Sequence, residues 1–349
     1  MTSTPSTAVP SDAAPGPDSR QRKGISAHPA APPLAAAMES GHWHRPLLWL
    51  AGVMALLAAV ALVARFVDPR EITGANAWDK PLKFALSTLI YSVTWSWLIG
   101  RLSRGRRFAS LAGSAMVVLF AVEIVIIAGA AVLGATSHFN VSTPLHAAMW
   151  TVMAVSISAL WVASLLATVQ LFRNPQGDRA RTLAVRSGTV LALAGLALGF
   201  LMTGPTAGQL ADYRGIAGAH TVGIADGGPG LPVLGWSTVA GDLRIPHFVG
   251  MHALQLIPLA LIAIELLSRR VTALRDARLR AALVGIGAGG YAAVLALVTA
   301  QALRGQSIVR PDGVTLGLGA AIALAAAVAV LVAVLASRRR TADSTAALS

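Results

Sequence analysis

The stretch GDLRIPHFVGMHALQLIP, residues 241–258, carries two histidines and a glutamine into the start of an apolar run. Imidazole can ligate a transition metal or a haem iron, and it can carry a proton near neutral pH. Pro246 suits the first position of a helix, which puts His247 in the first turn and His252 five residues on. At about 100° per residue these two rings point about 140° apart, whereas His252 and Gln255 lie only about 60° apart. One regular helix therefore cannot aim both histidines at one metal. His247 is expected at the membrane interface, and His252 with Gln255 is expected to face the bundle.

A second stretch, SHFNVSTPLHAAMW at 137–150, has the same character. Ser142 or Thr143 can cap a helix whose first turn holds Pro144, so His146 sits one turn inside and His138 in the loop before it. His146 and His252, from two helices, are the minimum for a bis-histidine haem b. They could equally belong to a metal centre completed by carboxylate and water. His138, His247 and Gln255 are the further cofactor-side candidates. The plain alternative for each is a hydrogen-bonded structural side chain.

Three charged residues are candidates for a proton or substrate site. Glu123, in FAVEIVII, lies near the middle of an apolar run, where a charge costs about 2.5–3.5 kcal/mol on insertion scales. Proton relay, ligand contact and structural hydrogen bonding all fit it. Lys83, in WDKPLKFALSTLIYSVTWSW, can snorkel to the interface or meet an anion such as a substrate carboxylate or a haem propionate. Asp212, in MTGPTAGQLADYRG, joins Thr203, Thr206 and Gln209 in a polar layer. Glu265, beside SRR, is expected to form only an interfacial ion pair.

The elements that must position these residues are membrane helices. The chain has 349 residues, 55% hydrophobic and 12% charged, against about 25% charged in a soluble domain. The apolar residues fall in runs of about 20, the length that crosses about 30 Å of hydrocarbon. Eight spans are read, near 46–67, 82–100, 110–134, 143–172, 183–204, 247–267, 281–303 and 314–336. Helix is the fold that satisfies such backbone in lipid, so the expectation is an all-α polytopic bundle.

Residues 1–45, rich in Pro, Ala, Ser and Thr, read as a disordered tail, and 338–349 as a short C-terminal tail. Twenty of the 28 lysines and arginines fall in the N-terminal tail, the even-numbered connections and the C-terminal tail. The positive-inside rule then places both termini in the cytoplasm of a bacterial plasma membrane. His138, His146, His220, His247 and His252 fall on the opposite, outer side, as does the glycine-rich 206–246 segment. That segment is long for a connection. Its Trp, Leu, Ile and Val content predicts an ordered cap over the outer helix ends.

The net charge of +13 is explained by those arginine loops, without nucleic acid. With no cysteine, disulfides, iron–sulfur clusters and thiolate chemistry are excluded. No Walker A, GxSxG or HExxH motif occurs. WDKPLKFALS, SHFNVSTPLHAAMW, DGGPGLPVLGWST and GDLRIPHFVGMHALQLIP together resemble an uncharacterised family of bacterial multi-pass membrane proteins, over about residues 40–310. That resemblance implies the membrane fold and carries no activity or catalytic residue across.

Three function classes follow from the residues. A redox or cofactor protein would hold haem b or a metal at the outer leaflet. A proton-coupled transporter for a small solute would use Glu123. A non-catalytic sensor or assembly component would meet a second copy or a membrane partner through its tail and outer loop.

Overall fold

The computed structural model describes residues 42–346 together with Thr2, so the expected tail at 1–45 lies almost wholly outside the described residues. Helix α1 spans Arg45–Val67, α2 Asp79–Gly100, α3 Arg106–Leu133, α4 Pro144–Phe172 and α5 Arg179–Leu198. A short helix α6 follows at Ala207–Ala211. Then come α7 at Arg244–Met251, α8 at Ala253–Leu267, α9 at Ala277–Leu303 and α10 at Gly313–Ala346. Seven of the described helices are long and apolar enough to cross a membrane, and the pair α7 and α8, bent by 44°, brings the number to eight where it counts as one span. The protein is an all-α integral membrane protein.

Polar caps outside the apolar runs set the helix starts. The Asp178 carboxylate accepts the Arg181 N–H at 2.9 Å, and Asp276 accepts the Arg278 N–H at 2.8 Å. Helices α5 and α9 therefore begin at Arg179 and Ala277, ahead of the hydrophobic edges expected at 183 and 281. Hydropathy locates the lipid boundary; the cap locates the helix. Thr143 caps α4 as expected, its hydroxyl accepting the His146 N–H at 3.2 Å.

The break in the sixth span was not expected. Pro258 lacks the N–H that would bond the Leu254 carbonyl, and its ring crowds that turn. The helix yields at His252, which ends α7 and opens α8. Upstream, α7 is pressed onto α5. A Cβ on Gly195 would lie 2.2 Å from the Gly250 carbonyl carbon, so only glycine permits this approach.

Consecutive helices pack as neighbours: α1 on α2, α2 on α3, α3 on α4 and α4 on α5. Helices α7, α8 and α9 close around α5, and α10 packs mainly against α9. The central core gathers Leu98 of α2, Ala163 and Ala167 of α4, Ala180 and Ala184 of α5, and Leu254 and Leu261 of α8. Those alanines let the lower halves of α4 and α5 approach closely. At this end Arg181 donates to Glu265 at 2.8 Å, with both side chains buried. Glu265 thus pairs with an arginine of α5, beyond the SRR of its own helix end.

At the other end the cap is ordered, as its composition predicts. A two-residue strand β1 at Thr221–Val222 pairs antiparallel with β2 at Gly241–Asp242, Thr221 opposite Asp242. Gln209 brackets Gly218, donating to its carbonyl at 2.8 Å and accepting from its N–H at 3.0 Å. Asp242 is fully buried and accepts from the Ser237 N–H at 2.8 Å and the Arg244 Nε at 2.9 Å. The cap is also stitched to its neighbours: Asn140 bridges Ile216, and the Ser307 hydroxyl donates to the Ser237 carbonyl at 3.2 Å.

Candidate functional site

A cavity of about 140 Å³ lies under this cap. Its floor and sides come from one face of α4, where Trp150, Met153, Ile157, Leu160 and Trp161 recur at helical spacing. Leu196, Gly199 and Phe200 face them from the end of α5 and the 3₁₀ turn that follows it. Below, Trp161 Nε1 donates to the Leu193 carbonyl at 3.0 Å and fastens the two helices together. Above that bond the wall is almost wholly apolar and aromatic. Phe200 both lines the cavity and is exposed on the bundle surface, so it marks the rim.

The polar groups sit mainly toward the cap. Lys80 of α2, Arg244 of α7, and His138, His220 and His247 all line the cavity, while Glu123 enters deeper from α3. Among the described residues no carboxylate lies within ion-pair distance of Lys80. Arg244 is braced by Asp242, and it also donates to the Gly235 carbonyl. Glu123 is buried, and its Oε1 has no hydrogen-bond partner among the described residues. An unpaired group of this kind is costly, and such sites tend to be functional.

His138 is boxed by aromatic rings, with centroids at 5.7 Å from Phe84 and 5.6 Å from Trp150. Burial holds its pKa well below 6.5, and the charges of Lys80 and His220 push the same way. The Ser137 hydroxyl meets its Nδ1 at 3.1 Å. The ring is a neutral wall of the site.

His220 is built differently. Its Nδ1 lies 2.6 Å from Asp226 Oδ2, and the same carboxylate accepts the His220 and Thr221 N–H groups and the Thr221 hydroxyl. Burial lowers the His220 pKa, while the Asp226 hydrogen bond opposes that shift. Burial alone would raise the Asp226 carboxyl. Its hydrogen bonds to His220 and Thr221 outweigh burial and hold it below the usual carboxylate range.

The histidines expected from sequence fall into two groups. His138 and His247 reach the cavity. His247 was expected at the interface. The bend and the Gly195–Gly250 contact turn it inward, where its Nδ1 donates to the Gly195 carbonyl at 2.8 Å. His146 and His252 do not line the cavity. His146 Nδ1 meets its own cap at Thr143 Oγ1, 3.0 Å away. His252 meets Gln255 at 3.3 Å, and Gln255 donates to the Thr94 hydroxyl at 3.3 Å. Among the described residues no three His, Asp or Glu side chains are grouped to hold a metal ion.

No family model, curated protein or solved structure matches this chain. The site's chemistry therefore rests on its own residues.

Lys83 donates to the Leu234 carbonyl at 2.8 Å, so it pins the cap. Asp212 pairs with Arg214 at 2.6 Å on the exposed cap surface, outside the cavity lining. Lys80, His220 and Arg244 were missed as site residues. A signal for His220 was present in HTVGIAD, where Gly223, at φ +87°, turns the chain so that Asp226 returns to the ring. For Lys80 the signal was its place one turn before Lys83, with Pro81 between them.

Proposed function

We propose that this integral membrane protein binds a small amphipathic anion, with its head beneath the cap and its apolar body between α4 and α5. The observation that carries this reading is the polarity gradient of the cavity. Lys80, without an ion-pair partner among the described residues, lines it with Arg244, His138 and His220 beside the cap, whereas Met153, Ile157, Leu160, Trp161 and Leu196 line it along α4 and α5, where His247 bonds Gly195 and Glu123 enters from α3. An aqueous solute would leave the lower wall unsatisfied, and a hydrocarbon would leave Lys80 unsatisfied. With both termini cytoplasmic, as the arginine distribution implies, the cap and its cavity face outward from a bacterial plasma membrane.

The test is saturable binding of decanoate to the protein in nanodiscs, with decanol and decyltrimethylammonium as neutral and cationic controls. Decanoate is expected to bind in preference to both, and Lys80→Met is expected to weaken it more than tenfold. Equal retention of all three probes, or no saturable binding, would overturn the reading.

A second reading, proton-coupled transport of that ligand, is favoured by Glu123. It is a buried carboxyl with an open oxygen, lining the cavity from the interior of a span. Uptake of labelled decanoate into proteoliposomes under a pH gradient should fall severalfold in Glu123→Gln. Unchanged uptake would count against it. The haem or metal reading drawn from His146 and His252 has no such support, because neither ring lines the cavity.

A further inference from the structure

The His220–Asp226 pair has a construction that ligand binding alone does not require. Asp226 accepts four distinct donors, from the His220 ring, the His220 and Thr221 N–H groups and the Thr221 hydroxyl. The His220 carbonyl accepts the Leu243 N–H at 2.9 Å, so the residue is held at both backbone ends. Its ring packs on Phe139, with centroids 4.8 Å apart, and lines the cavity. Because Nδ1 is committed to Asp226, Nε2 is the nitrogen left to exchange a proton. No described residue hydrogen-bonds to it. A carboxylate that fixes one imidazole nitrogen sets the tautomer of the other and stabilises the imidazolium if it forms.

We propose that His220 is the proton acceptor of the cavity, and that binding of an anionic head is coupled to uptake of one proton on its Nε2. The inference rests on the proposed binding of an amphipathic anion. The step balances simply. When the ligand arrives as the carboxylate, a proton from solvent forms the Nε2–H bond. When it arrives from lipid as the neutral acid, the O–H bond breaks, its electron pair stays on the carboxylate and the proton moves to Nε2.

The surroundings decide when that proton is held. Lys80 of α2, Arg244 of α7 with its partner Asp242, His247 of α7, His138 of the loop before α4 and Glu123 of α3 share the cavity or its edge with the ring. Without an anion, the Lys80 charge and the Arg244 charge, the latter partly offset by Asp242, oppose an imidazolium, and only Asp226 pairs directly with it. An anionic head adds the second negative charge. Proton and ligand then favour each other, and the coupling is reciprocal. Asp226 acts through His220 and is a positioning residue.

The test is calorimetric titration of decanoate into the full-length protein in nanodiscs at pH 7.5, in buffers of different ionisation enthalpy. The dependence of the observed heat on buffer enthalpy reads the protons taken up. The wild type is expected to take up close to one per decanoate. His220→Gln should bind decanoate several-fold more weakly with uptake near zero, and Asp226→Asn should lower both uptake and affinity, by less than His220→Gln does. Wild-type binding with no proton uptake would overturn this inference and leave the binding reading standing. So would uptake retained in His220→Gln but lost in Glu123→Gln. Absence of decanoate binding in a folded wild type would remove the binding reading, and this inference with it.

Discussion

Glu265 and Glu123 both lie inside apolar helices, and the protein treats them in opposite ways. Glu265 meets Arg181 at 2.8 Å in a buried pair at the end of the bundle away from the cap. Glu123 keeps an oxygen with no hydrogen-bond partner among the described residues and lines a cavity. The first arrangement holds helices α5 and α8 together. The second leaves a buried carboxyl oxygen without a protein partner among the described residues, at a cost in stability. Under the proposed function, the first belongs to the structural end of the bundle and the second to the ligand cavity.

The largest expected effect breaks the structural end. Arg181→Met leaves the Glu265 carboxylate buried without its partner and should cost about 3–5 kcal/mol. It would be read as a large fall in melting temperature in detergent, and Glu265→Gln in the same chain should restore most of the loss. Glu123→Gln alone should leave the melting temperature unchanged or higher. A comparable loss in Glu123→Gln would erase the contrast between the two glutamates.

A next, smaller effect concerns the contact that turns His247 inward. Gly195→Ala places a methyl against the Gly250 backbone and should cost about 1–3 kcal/mol through overpacking. Gly129→Ala, on α3 with open space around it, should instead gain about 0.5–1 kcal/mol from reduced backbone entropy. The two melting temperatures should therefore move in opposite directions. Movement in the same direction would refute the close approach of α5 and α7.

Trp161→Phe tests the boundary between the structural end and the cavity. Loss of its bond to the Leu193 carbonyl should cost about 1 kcal/mol. Hydrogen exchange should rise in α4 and α5 around that bond, and an unchanged exchange pattern would deny it a fastening role.

The mildest test uses pH. Burial lowers the proton affinity of His138 and His220 below that of the unfolded chain. The unfolded state therefore binds more protons, and these residues' contribution to stability falls as pH drops through 6.5. Asp226 acts in the same direction at lower pH: its stabilising contribution is present above 3.8 and lost as pH falls further. Melting temperature should decline between pH 7.5 and 5.5, and less so in His138→Phe. A rise on acidification would show that these rings gain rather than lose proton affinity on folding.

The spans were legible because backbone in lipid has few options, and apolar runs of the right length declare themselves. The ordered cap was legible because Trp236, Leu234 and Ile224 have no place in a plain linker. Glu123 stood out for the same reason in reverse, as a charge within an apolar run. The bend at His252 was not legible, although Pro258 was in view. Where a proline-weakened helix yields depends on what presses against it, here Gly195 against Gly250. That contact moved His247 from the interface to the cavity. His146 and His252 looked like partners because both lie near helix starts. In the structure neither lines the cavity, and the Nδ1 of each bonds within its own helix region. Lys80 and His220 needed tertiary folding to reveal them, since their surroundings come from α2, α3, α7 and two connections.

Under the proposed function, the cavity between α4 and α5 takes the apolar body of an amphipathic anion. The most direct measurement is photo-crosslinking with a decanoate analogue carrying a diazirine at its tail, with the adducts mapped by mass spectrometry. Adducts are expected on Met153, Ile157, Leu160 or Leu196, and they should disappear with excess decanoate. Adducts spread over outward-facing residues such as Val155, Leu165 and Leu166, insensitive to competitor, would contradict the account.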